Sequence, residues 1–193
     1  MAAKKVAALN KSKVFRAVAA VSCTLPYSEA SLAQIARAAK VPVEQLRAEF
    51  IDLTHLLIAV QQYLLDDLRD HVIEDTSHLP PGLERVRSAT KVYLDHCLQN
   101  RGLRGWLLQA RREKQQLAEG LRRQNQSFAL VISTEFHALS WPHPLAAARL
   151  YLAAIQEASR LEQIKGEPLA YIREAIWDIA RVYTGQMKAG VAK

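Results

Sequence analysis

A chain of 193 residues, half of them hydrophobic and with a formal charge of +7, is long enough for one domain or for a small module joined to a medium one, and it can bury a core. No stretch approaches the roughly 18 unbroken apolar residues of a membrane span, and the N-terminal MAAKKVAALNKSK has lysines but no apolar segment of a signal peptide, so a cytoplasmic protein is expected. Cys23 and Cys97 stand far apart with no CxxC or Cys/His ligand spacing, which fits a reducing compartment, gives no sign of structural zinc and reads both as small core residues.

The elements read as helices nearly end to end. Val14, Val18, Val21 and Leu25 recur at helical spacing, predicting a first helix over 10–23 that Pro26 stops. Ser28 or Ser31 can cap a second helix over 32–39, with Leu32, Ile35, Ala36 and Ala39 inward. Pro42 blocks its continuation, and a third helix near 43–50 turns Val43, Leu46 and Phe50 to the core. A long helix over 53–75 buries Leu56, Leu57, Val60, Tyr63, Leu64 and Leu68.

Pro80-Pro81-Gly82 is the clearest boundary. The helix after it carries Leu83, Val86, Thr90, Tyr93, Leu94 and Cys97 on one stripe; Gly102 and Gly105 mark a short connection. One or two helices then fill 103–139, with Leu117, Leu121, Phe128, Val131 and Leu139 inward, until WPHP at Trp141 to Pro144 breaks them. Two last helices, 145–164 and 169–187, are separated by KGEP at Lys165 to Pro168. No β-type alternation, repeat or low-complexity run appears, so the fold class is all-α, with about nine helices.

Charge is concentrated at one end. Residues 1–50 hold eight Lys or Arg (Lys4, Lys5, Lys11, Lys13, Arg16, Arg37, Lys40, Arg47) against Glu29, Glu44 and Glu49, a net +5, and the rest of the chain carries only +2. A basic module on a nearly neutral body suggests a polyanion partner. Two short helices joined by a tight turn after a basic first helix make a helix-turn-helix, whose second helix can lie in the major groove.

The segment IARAAKVPVEQLRAEFIDLTHL resembles the tetracycline-repressor (TetR) family pattern, approximately I-A-x-x-A-G-V-S-x-G-T-L-Y-x-x-F-x-S-K-x-x-L, through Ile35, Ala36, Ala39, Val41, Leu46, Phe50 and Leu56. Motif-level resemblance covers about residues 28–60, and the helix count and length agree over the whole chain. It implies a DNA-binding domain over 1–52 and a helical effector-binding and dimerisation domain over 53–193, in a bacterial regulator without cofactor or catalysis. The chain departs from the pattern at the turn glycine (Lys40), the small capping residue (Pro42), the next small residue (Glu44), the threonine (Gln45), the tyrosine (Arg47) and the lysine opening the fourth helix (Leu53). The resemblance implies phosphate contacts at the threonine, tyrosine and lysine positions. Between Lys40 and Leu53 two bases face three acids, Glu44, Glu49 and Asp52, and an acid near a phosphate opposes counterion release.

Arg47 suits a phosphate or a guanine edge, Gln45 an adenine, Glu44 a cytosine amine; Lys4, Lys5, Lys11 and Lys13 would supply an arm that follows the backbone or minor groove, and Lys40 is a further candidate DNA contact. Double-stranded operator DNA is the partner expected. The alternative is a helical dimer that keeps this shape, has lost or altered DNA binding, and takes a protein or small molecule.

The helix at 145–164 is apolar on two sides, Leu145, Ala148, Leu152 and Ile155 on one and Ala147, Leu150, Tyr151, Ala154, Ala158 and Leu161 on the other, so it must be covered twice. The alanine-rich side, with Ile172, Ile176, Ile179 and Tyr183 of the last helix, whose stripe also includes Leu169, Ala180 and Met187, is expected to form a four-helix homodimer interface. Tyr63, Tyr93, Cys97, Trp106, Phe128 and Tyr151 are the candidate lining of an effector pocket, favouring an apolar or aromatic small molecule. Asp67 and His71 lie one turn apart, but a charged stretch late in a long helix reads as a solvated face, as do ARREK at Ala110 to Lys114 and LRR at Leu121 to Arg123. His137 and His143 have no carboxylate partner in view, and no nucleophile elbow, P-loop or Rossmann glycine pattern occurs, so no metal ligand set or catalytic residue is expected.

Overall fold

The computed structural model describes residues 9–191 in backbone and 9–185 in side chain. Lys4, Lys5 and the Met187 side chain lie outside the described residues. Nine α-helices are present there: α1 (Lys11–Ser22), α2 (Leu32–Ala39), α3 (Val43–Glu49), α4 (Leu53–Thr76), α5 (Leu83–Gln99), α6 (Arg101–Glu113), α7 (Gln115–Ala138), α8 (Pro144–Lys165) and α9 (Ala170–Val191), with a 3-10 turn at Tyr27–Glu29. Packing groups them into two units, Met1–Leu64 with Asn100–Gly120, and Leu65–Gln99 with Leu121–Lys193.

In the first unit each short helix is bounded by its own polar groups. The Asn10 side chain accepts the Lys13 N–H and starts α1. Ser31 caps α2, accepting the Gln34 N–H at 3.3 Å while its hydroxyl donates to the Gln34 side chain at 2.7 Å. Asp52 caps α4 by accepting the His55 N–H at 2.7 Å. Val14, Val18, Ile35, Leu46, Leu56, Leu57 and Val60 are fully buried in one core, to which α6 adds Leu103, Trp106, Leu107 and Ala110.

Gly102 and Gly105 do not mark a connection; both lie inside α6. Gly102 is small because α1 ends against it: a Cβ there would stand 2.9 Å from the Ser22 carbonyl oxygen and 2.9 Å from the Cys23 sulfur. The actual break falls at Lys114, one residue in extended conformation between α6 and α7. The buried stripe Leu103, Trp106, Leu107, Ala110 would next turn position 114 inward; the step keeps the lysine exposed and still buries Leu117. Cys97 is buried, but Cys23 is exposed, because α1 is already ending there and the residue lies off its apolar stripe.

The second unit has its own core, centred on Leu94, Phe136, Ala148, Ile155 and Ala180. The inward face of α7 is set by Ala129 and Phe136, so Val131, expected inside, is 64% exposed, whereas Phe136 is fully buried. Trp141 ends α7 but also fills this core: it stacks on Phe136 at 4.0 Å between ring centroids, and its indole N–H donates to the Thr184 hydroxyl at 3.2 Å. The Pro80-Pro81-Gly82 turn is held by Glu135, which accepts the Gly82 N–H at 2.9 Å and an Arg85 N–H at 3.3 Å; the φ of +145° at Gly82 requires glycine. Among the described residues no helix is long and apolar enough to cross a membrane.

Candidate functional site

The turn between α2 and α3 is built on Lys40, in the left-handed conformation (φ 51°, ψ 50°), with the Val41 N–H closing onto the Ala36 carbonyl at 3.0 Å. Lysine thus occupies the conformation for which glycine is usual, and places a cation at the apex of the turn. Pro42 then sets the start of α3, where the Gln45 and Leu46 N–H groups donate to its carbonyl but no side chain caps the helix. Leu46 and Phe50 anchor α3 in the core and leave Glu44, Arg47 and Ala48 exposed, with Gln45 half-buried.

Two of the three acids in this segment have structural partners. Glu49 is ion-paired with Lys11 of α1 at 2.5 Å, and Asp52 caps α4. The exposed turn and the outward face of α3 are left with Lys40, Arg47 and Glu44. The same pairing ties up Lys11, whereas Lys13 remains exposed on α1. Among the sequence-predicted DNA-contact residues, Lys40, Glu44, Gln45 and Arg47 are therefore brought onto one turn and helix, with Lys11 joined to that helix through Glu49.

The predicted effector residues divide between the units. Tyr63 lies against Phe15 at 5.2 Å, and Trp106 is buried with its indole N–H donating to the Leu25 carbonyl at 2.8 Å, both in the first unit. In the second, Cys97 is buried in core and Tyr93 meets Phe128 edge-on at 6.4 Å. A cavity of about 700 Å³ opens there among the end of α4, α5, α8 and α9, and of the six candidates only Tyr151 lines it. Leu79, Leu94, Ala170, Ile176 and Trp177 supply apolar walls; Arg87, Lys91, Arg173, Asp75, Glu84 and Glu174 supply charge. Burial pushes the Tyr151 phenol up, so its hydroxyl stays protonated at neutral pH, and it lies 2.8 Å from the Thr90 hydroxyl.

Behind the cavity lies a cluster that the helical pattern did not reveal. Glu162 of α8 is 1% exposed and receives two Arg173 N–H groups at 2.6 and 2.8 Å and the Leu169 N–H at 2.9 Å. A third Arg173 N–H reaches Asp95 of α5 at 2.6 Å. Likewise His96, unremarked in the sequence, sits 2.9 Å from the Asp67 carboxylate. Among the described residues no group of three or more His, Cys, Asp or Glu is placed to hold a metal ion.

Of the predicted dimer residues, Tyr151, Ala158 and Ile176 turn into the core of their own unit, Ala147, Leu161, Ile172 and Tyr183 are half-buried, and Ala154 and Ile179 are exposed. Around the exposed pair, Leu150 of α8 is 74% exposed, Ile164 67%, and Ile179 of α9 69%. These helices carry exposed apolar residues, of which Leu150, Ala154 and Ile179 belong to the faces expected from the sequence and Ile164 is additional.

No protein-family model matches the chain, and no curated protein matches it. Solved structures do. A transcriptional regulator from Rhodococcus sp. Rha1 superposes with a TM-score of 0.78 at 16% identity, covering 94% of this chain and 97% of that one. A fatty acid degradation regulator from Bacillus halodurans gives 0.74 at 13% identity, with 88% and 93% covered. A TetR transcriptional regulator from Streptomyces coelicolor gives 0.59 at 21% identity, with 89% and 98% covered. The chain has the all-α fold of TetR-type transcriptional regulators.

Proposed function

We propose that the protein is a TetR-like transcriptional regulator that binds operator DNA as a homodimer and responds to a small molecule. The observation that carries the reading is the fate of the acids around α3. Glu49 is paired with Lys11 and Asp52 is turned to the N-terminus of α4, so the outward face of α3 and its turn present Lys40 and Arg47 beside Glu44, two cations to one acid for a phosphate that approaches there. Residues 1–52 act as the reading module and 53–193 as the body. Two modules must present α3 about 34 Å apart to enter successive major grooves, which a dimer through the exposed apolar residues of α8 and α9 supplies. Leu150, Ala154, Ile164 and Ile179 support that interface, because an apolar face of this kind on two adjacent helices is costly to leave in water. A ligand acts by preferring the spacing of the two modules that does not fit the groove.

The test is selection of bound duplexes from a random DNA library, followed by a salt titration on the winner. A palindromic winner with a steep salt slope, weakened by Arg47→Ala, is the expected result. Absence of enrichment at low salt would overturn the DNA reading and favour a dimer that binds a protein or a small molecule only.

A further inference from the structure

The cavity of the second unit has an apolar floor, with Leu94, Ile176 and the Tyr151 ring, under a charged wall. On the lining itself Arg87, Lys91 and Arg173 face Asp75, Glu84 and Glu174, three charges against three. The balance changes once the groups behind the wall are counted. Arg173 is held by Glu162 and Asp95, and Lys91 by the same Asp95 at 3.0 Å. Five carboxylates therefore stand against three cations, a surplus of two negative charges around a half-open cleft whose low-dielectric walls concentrate the field.

The hydrogen-bond inventory points the same way. Three of the five Arg173 N–H groups go to carboxylates, and the Ser88 hydroxyl donates to Asp75, which leaves fewer donors for an anion. The Thr90 hydroxyl donates to the Val86 carbonyl at 2.7 Å, so across its 2.8 Å contact with Tyr151 it is the phenol that donates. The Tyr151 oxygen keeps an accepting lone pair and no proton to give. At the rim, Arg87 lies over the Trp177 ring, 4.8 Å from its centroid, and only loosely against Glu174 at 3.7 Å, which marks the place as one suited to a cation on an aromatic face. Glu84, one turn before Arg87, has no ion-pair partner among the described residues.

We infer that this cavity takes an amphipathic organic cation, an ammonium carried on an aromatic or branched aliphatic body. The charged end lies toward Glu84 and Glu174 at the Trp177 rim, and the body on the floor made by Leu94, Ile176 and the Tyr151 ring. This rests on the ligand-responsive part of the proposed function and deepens it: the ligand is charged as well as apolar.

The test needs no DNA. Phenylbutylamine, phenylbutanol and phenylbutyrate share one body and differ in charge; each is titrated calorimetrically into the full-length protein at neutral pH and low salt. The amine is expected to bind on the order of tenfold tighter than the carboxylate, a difference of about one charge-assisted contact, with the alcohol between them. Glu84→Gln and Glu174→Gln, both at exposed positions, are each expected to weaken the amine severalfold and leave the alcohol unchanged. The inference is overturned by equal or tighter binding of the carboxylate, by no binding of the amine at millimolar concentration, or by indifference of the amine to both substitutions. Amine binding that leaves operator affinity unchanged would keep this inference and remove the ligand-responsive regulator; failure of the amine with intact operator binding would do the reverse.

Discussion

Arg173→Met removes the cation that faces both Glu162 and Asp95 at hydrogen-bond distance. The variant keeps most of the side chain's volume but leaves Glu162, 1% exposed, with the Leu169 N–H as its remaining donor. Breaking a buried ion pair from one side costs about 3–5 kcal/mol, a large share of the roughly 5–15 kcal/mol that holds a domain together. The pH dependence separates this from a packing loss. Burial is the largest single influence on Glu162 and pushes its carboxyl up, but the Arg173 hydrogen bonds, the Leu169 N–H and the Arg173 charge together bring it below the ordinary glutamate value; Asp95 is lowered in the same way, by Arg173 and Lys91 against burial. Both contributions are thus complete above the unfolded values of about 4 and are lost as pH falls through the folded ones. In the variant, burial of Glu162 is nearly unopposed, its folded value rises above the unfolded one, and stability is lost as pH increases instead. The cost of the substitution should therefore be greatest at neutral pH and shrink toward about pH 4. Urea unfolding of both proteins at one protein concentration, from about pH 4 to 8, measures it. A cost below about 1 kcal/mol at neutral pH, or one independent of pH, would refute the assignment of Arg173 as the counter-ion of a buried carboxylate.

Lys40→Gly relieves a left-handed lysine, worth roughly 1–2 kcal/mol, against the roughly 0.5–1 kcal/mol of extra chain entropy that glycine loses on folding; a net gain of up to about 1.5 kcal/mol in urea unfolding is expected, together with weaker DNA binding at low salt from the loss of the turn cation. Gly102→Ala adds a Cβ against the Ser22 carbonyl; the overpacking cost of about 1–3 kcal/mol should exceed the roughly 1 kcal/mol gained in helix propensity, lowering the Tm. Glu49→Gln removes an acid from α3 and releases Lys11; operator binding should tighten and its salt slope steepen by about one phosphate contact, as read by a fluorescence-anisotropy salt series.

The helices, their order and the apolar anchors of the turn were legible because they depend on spacing within a few residues. Ile35, Ala36, Ala39, Leu46 and Phe50 are all buried as their periodicity predicts, and Ser31 caps α2 as its residue type predicts. Spacing was less informative where one residue type serves two ends: Gly102 is a close approach between helices rather than a break, and Lys114 is a break with no glycine or proline to announce it. Helical phase also drifts over a long element, so the stripe that predicts Val131 inside leaves it exposed and Phe136 takes the buried position.

What spacing does not contain is which distant group a side chain meets. Glu49 belongs to α3, yet 38 positions separate it from the Lys11 that pairs with it. Arg173 and Asp95 lie 78 residues apart, and the partners of that arginine decide the charge of the cavity wall. An inward-facing aromatic stripe says that a residue is covered, but not whether by core or by open space, and so Tyr151 lines the cavity while Tyr93 and Phe128 pack on each other. Local backbone and hydrophobic preferences act over one or two turns and are written in the chain; electrostatic pairing and cavity shape arise only when α1 meets α3 and α5 meets α8 and α9, and they set the chemistry at both candidate sites.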